Sequence, residues 1–143
     1  MRRTTIGILA LSAIAAAGCG SSSKFANKPR PPTPIDLSVY IDNERVSVSP
    51  ASAGAGPVIF IVTNQSSRAQ SLSLAHAGTG TSLADTGPIN PQATTEVSVN
   101  LDTPGAYTVS ATAASQVAPS SIRPAVLHIG APRPNANDVL LQP

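Results

Sequence analysis

The sequence predicts an all-β domain, a β-sandwich of about seven to eight short strands. Three observations carry that prediction. Apolar and polar residues alternate with period 2 in "IDLSVYI" and "TTEVSVNL", the pattern of strands with one face on a core. Pro, Gly, Asn and Ser punctuate the chain at short intervals, as turns between short strands require. No stretch of the domain repeats apolar residues at helical spacing.

The elements follow in order. In residues 35–41, Ile35, Leu37, Val39 and Ile41 share one face. "DNE" (42–44) is a turn, and Val46 and Val48 share a face of the next strand. "ASAGAG" (51–56) reads as a breaker-rich loop. "PVIFIVTN" (57–64) is apolar on both faces, as a central strand can be. After the turn "QSSR", Leu72, Leu74 and His76 are in phase. Residues 77–93 are rich in Gly, Thr, Pro and Asn and read as a long irregular loop. Val97, Val99 and Leu101 form the next inward face, "DTPG" (102–105) a turn, and Tyr107, Val109 and Ala111 another inward face. "SQVAPSSIRP" is loop, and "AVLHIG" closes the sandwich. The domain therefore spans 35–130, with a Pro- and Asn-rich tail over 131–143.

What precedes the domain gives it an address. Met1-Arg2-Arg3 is basic, residues 4–17 are uncharged and mostly apolar, and Ala16-Ala17-Gly18 lead into Cys19, the only cysteine. Basic, apolar, then small is the order of an export signal, and the apolar run is shorter than the about 20 residues of a membrane span. The segment around Cys19 resembles the lipobox of bacterial lipoproteins. That resemblance implies a signal peptide over 1–18 and a lipidated Cys19 as first mature residue, on the extracytoplasmic face of the cell membrane. Lipid adds about 0.8 kcal/mol per buried methylene, and two or more chains anchor stably. The alternative is an ordinary signal peptide with a cysteine near its end. Residues 19–34, rich in Ser, Lys and Pro, then form a tether.

Charge and composition exclude several classes. The whole chain has nine basic and seven acidic residues. Without residues 1–18 the basic count is seven and the net charge zero. A neutral chain lacks the basic patch that nucleic acid needs as a partner. The absence of Trp and the 3% aromatic content argue against a sugar-stacking or base-stacking platform. No Ser sits in a nucleophile elbow. "GTGTS" (78–82) lacks the Lys of a phosphate loop. No carboxylate pair is spaced for acid–base work. The domain is expected not to be an enzyme.

The order "AGAGPVIFIVTN", a polar turn, "SLSL", "INPQATTEVSVNLDTPGAYTVSA" and "AVLHI" resembles a cupredoxin-like domain over roughly residues 35–130. The resemblance implies a Greek-key β-sandwich. Leu101, Pro104, Gly105 and Tyr107 match the family's "L-x-x-PG-x-Y" segment. Gln92 stands where its earlier Pro-Gly has Gly, and the gap to Leu101 is two residues longer. Carried over position by position, the family's first copper His falls at Gln70 and its copper Cys at Ala111. The second His and the axial Met would lie between Thr112 and Arg123, where "TAASQVAPSSIR" holds neither. A blue-copper centre needs two imidazoles and a thiolate, so no metal or other cofactor is expected.

These readings converge on a lipid-anchored, metal-free, non-enzymatic binding or accessory module of the cell envelope. Its partners would be the membrane, through the anchor, and an envelope protein. Arg68, Gln70 and Arg123, with the loop from Gly78 to Asn90, are the candidate binding surface, because end loops on a rigid scaffold carry recognition. One alternative is a periplasmic metal-binding or redox protein with an unorthodox site at His76 and His128. Another is a small-molecule carrier with an apolar chamber between the sheets.

Overall fold

The computed structural model describes residues 31–114 and 121–135, and every regular element among them is a strand. In chain order these are β1 (Ile35–Ile41), β2 (Val46–Ser49), β3 (Ser52–Asn64), β4 (Gln70–His76), β5 (Ser82–Ile89), β6 (Thr94–Leu101), β7 (Gly105–Ala113) and β8 (Ala125–Pro132). Two sheets share β3. Its second half lies between β1, parallel, and β6, antiparallel. Its first residues, Ser52–Ala55, run parallel to β8, which continues through β7 and β4 to β5. The all-β Greek-key sandwich expected from the sequence is the observed architecture, with eight strands.

Alternation decides which side chains meet between the sheets. Leu37 and Val39 of β1 are fully buried, as is Val62 of β3, while Asp36 and Tyr40 are exposed. Phe60, Leu72, Leu74, Tyr107, Val109, Leu127 and Ile129 complete the core from both sheets. Tyr107 buries its ring and donates its hydroxyl hydrogen bond to the Thr103 carbonyl. A buried phenol needs such a partner. Where the edges of β5 and β6 lie side by side, Phe60, Leu72, Leu74, Ala84, Val97 and Val109 leave no room even for water. This stretch between the sheets therefore holds no apolar chamber of the kind a carrier needs.

Two segments depart from the sequence reading. "ASAGAG" is not a loop but the first part of the 13-residue β3. Its small residues serve a close approach. A Cβ on Gly54 would lie 2.6 Å from Cγ of Arg133. Arg133 uses that space to donate to the carbonyls of Thr33 (2.8 Å), Ala55 (3.4 Å) and Pro57. Residues 77–93 are not one long loop either, since they contain β5. This strand sits at a sheet edge and buries only Ile89, so both its faces are polar enough to hide the alternation.

The ends of the sandwich also shift. β8 continues through Pro132, and Arg133 ties Thr33 of the tether to β3. Both lie beyond the 35–130 expected for the domain. Residues 1–30, with Cys19, and residues 136–143 lie outside the described residues.

Candidate functional site

A polar cleft of about 190 Å³ opens at the end of the sandwich where β1 and β3 finish and β4 begins. It is lined by Asn43, Ser67, Arg68, Gln70, Ala113, Ser121 and Ile122. Strand ends and turns supply every one of them. The β3–β4 turn carries Ser67 and Arg68, and Gln70 is the first residue of β4. Register sets Gln70 opposite Ala113 of β7, so a small side chain faces a long one.

Asn64 builds the cleft wall. It is fully buried at the end of β3. Its Nδ2 donates to the carbonyls of Arg68 (2.7 Å) and Ile89 (2.9 Å). Its Oδ1 accepts from the Ser66 amide (2.9 Å) and hydroxyl (2.7 Å). One side chain thus fixes the turn that carries Arg68 and ties it to the end of β5. The Asn43 Oδ1 accepts from both the amide and the hydroxyl of Ser67, each at 3.0 Å, and so joins the β1–β2 turn to the same wall.

The turn after β5 keeps its shape despite its departure in sequence. Ala93 N–H donates to the Asn90 carbonyl, Pro91 occupies the second position, and Gln92 takes φ 61° at the third. This is the type II pattern, which favours Gly at that third position. Gln92 adopts the left-handed conformation and donates its amide to the Asn64 carbonyl at 2.6 Å.

Gln70 stands out by what it lacks. Its side chain is 4% exposed, and its Oε1 is buried with no hydrogen-bond partner among the described residues. Most buried polar atoms are paired, so an unpaired one requires an explanation.

The expected binding residues divide. Arg68 and Gln70 come together in the cleft. Arg123 does not line it. Its backbone bridges Arg45, donating to the Glu44 carbonyl and accepting from Val46 N–H, each at 2.8 Å. That pairing turns Arg123 toward the β1–β2 turn. Of the Gly78–Asn90 segment, Ile89 and Asn90 reach this end, Ile89 by pairing with Gln70 and accepting from Asn64 Nδ2, and the rest is mostly β5. Asn43, Ser67 and Ser121 were not singled out by sequence, because no motif marks them.

His76 lies at the other end of β4, six residues from Gln70 and about 20 Å away at strand rise. His76 pairs with Tyr107 and packs edge-on against its ring, centroids 5.1 Å apart. His128 pairs with Ala106, the neighbour of Tyr107, and is exposed. Successive residues of β7 face opposite sides, so the two imidazoles project from opposite faces of the sheet. They do not form one site. No group of three or more His, Cys, Asp or Glu side chains converges among the described residues.

The cleft stands where the family resemblance implies copper, and its side chains do not fit that ion. Ala113, not Ala111, faces Gln70, while Ala111 pairs with Leu72 one step further in. An amide, a guanidinium and hydroxyls replace imidazole and thiolate. Residues 115–120, "SQVAPS", contain no His, Cys or Met in sequence. A copper centre of the blue type cannot be assembled from this donor set.

Asp42 lies next to the cleft, beside Asn43. The Glu44 and Arg45 amides, each 2.7 Å from its Oδ1, hold its carboxyl below the ordinary 3.8, and the Arg45 and Arg123 charges add to this. A lowered folded pKa stabilises the fold above the unfolded value and loses that contribution as pH falls through the folded one. Asp42→Ala is therefore expected to lower the melting temperature at pH 7. The difference from wild type should close below pH 3.8. Melting curves across pH 2 to 7 check this, and a constant difference would contradict it.

No protein-family model matches the chain, and no curated protein does. Three solved structures are similar to the chain. A dithionite-reduced auracyanin of Roseiflexus castenholzii is 12% identical, with 68% of this chain and 97% of that chain covered and a TM-score of 0.49. Auracyanin A of Chloroflexus aurantiacus, a blue copper protein, is 13% identical over 68% and 100%, with a TM-score of 0.48. A copper-containing nitrite reductase of Thermus scotoductus is 15% identical over 67% and 27%, with a TM-score of 0.41. The architecture stands on this chain's own strand pairing, and nothing about copper is taken from these neighbours.

Proposed function

We propose that the mature chain is a lipid-anchored extracytoplasmic binding module. A cupredoxin-like sandwich presents the cleft around Gln70, and the role is neither catalysis nor electron transfer. The observation that carries the reading is the polar cleft at the strand ends, lined by Arg68 and Gln70. The direction of β1 supports it. The tether enters at Ile35 and the cleft lies beyond Ile41, so the two are at opposite ends of a strand about 20 Å long. An anchored chain then holds the cleft on the side away from its point of attachment.

Two measurements test the reading. Cys19→Ala should move the protein from the membrane fraction to the soluble extracytoplasmic fraction. Unchanged membrane association would defeat the anchor. Copper and zinc titration of the full chain in detergent, followed by elemental analysis, should leave far less than one metal per chain. A stoichiometric metal lost in His76→Ala would overturn the binding-module reading.

A further inference from the structure

A second surface, independent of the cleft, lies on the outer face of the sheet that β3 forms with β1 and β6. We propose that this face docks a segment of a partner protein that carries apolar side chains between Lys or Arg residues.

The starting point is β3, which is apolar on both faces. Its inward file, Val58, Phe60 and Val62, is buried in the core. Its outward file is Pro57, Ile59 and Ile61, and these three are only partly buried. Register shows what stands beside them. Ile59 lies between Asp36 of β1 and Ser98 of β6, and Ile61 lies between Ser38 and Glu96. Residues paired across a ladder share a face. The flanking strands obey the rule for a solvated sheet face and are polar outward, apart from Tyr40, which is 45% exposed. The outward file of β3 breaks that rule. At its Pro57 end lies a groove of about 380 Å³, lined by Pro31, Pro34 and Ile59 among others. An apolar patch with a polar rim marks an interaction site.

Charge selects the occupant. The three strands carry two charged residues, Asp36 and Glu96, and no Lys or Arg. Both are exposed, and neither has an ion-pair partner among the described residues. They flank the isoleucine file on opposite sides, two ladders apart and offset by two residues, which is about 12 Å at sheet spacings. Lys residues three apart in an extended peptide are separated by about 10 Å, so their flexible stems reach both carboxylates. The apolar residues between them then cover Ile59 and Ile61. A second copy of this chain would set acids against acids, and an anionic lipid or nucleic-acid surface would be repelled.

The test uses the full chain in phosphatidylcholine nanodiscs, titrated with the capped peptides GKLLKG, GELLEG and GKSSKG. Backbone amide shifts locate binding and give affinity. GKLLKG should move Ile59, Ile61, Glu96 and Ser98, and bind at least about tenfold more tightly than either control. Glu96→Gln and Asp36→Asn, both exposed substitutions, should each weaken GKLLKG by about threefold and flatten its salt dependence. Ile61→Thr, which stays β-branched, should weaken it by about tenfold. Equal binding of GELLEG removes the charge argument and overturns the proposal. Equal binding of GKSSKG removes the apolar argument and does the same, as does failure of all three peptides to bind. A peptide-free dimer that Ile61→Thr dissociates would assign the face to a second copy. Shifts at Glu96 and Ser98 caused by Phe25→Ser in the free chain would assign it to the chain's own tether. Either result overturns the proposal, and neither bears on the cleft around Gln70.

Discussion

Replacing Asn64 with alanine is expected to destabilise the domain by about 3 kcal/mol and to dismantle the cleft wall. The side chain has no exposure and makes four hydrogen bonds. Each bond contributes about 1 kcal/mol net, but the larger cost lies in what stays behind. The Ile89 carbonyl bond is buried, and so is the Ser66 amide bond. Truncation leaves both groups without their partner and without ready access to water. The backbone bonds of Asn64 to Ala93 and Gln92 survive, so β3 should keep its register. Damage should therefore centre on the Ser66–Arg68 turn. Urea unfolding measures the loss, and amide exchange locates it. A loss below about 1 kcal/mol would show that the turn holds itself without Asn64.

How much of this could be read from sequence varies with the physics of each element. β1, β4 and β7 were legible because their core side chains alternate with polar ones and lie between the sheets. β5 was not, because an edge strand burying one residue has no reason to alternate. The start of β3 was misread because its glycines answer to Arg133, nearly 80 positions away, and not to local turn geometry. Sequence spacing has no access to such a contact. The site divides along the same line. Counting from Asn64 found Gln70, since strand lengths fix that position. It could not show that Oε1 is unpaired, which depends on Ala113 standing opposite. Arg123 was expected beside Gln70 and instead belongs to a bridge with Arg45. The pairing of a segment with a distant turn decides that, not its distance along the chain.

Gln70→Leu should act in the opposite direction to Asn64→Ala and stabilise the free protein by about 1 to 2 kcal/mol. Leucine nearly matches glutamine in size and removes an acceptor that is buried without a donor. The surroundings suit it, because Ala113 lies opposite and Ile122 lines the same cleft. Alanine is a poorer probe, since it would add a cavity cost of the opposite sign. The leucine variant should therefore unfold at higher urea than wild type. A leucine variant that is less stable than wild type would mean that Oε1 is already satisfied in the free protein, by ordered water, and that Gln70 is a structural residue of a hydrated end.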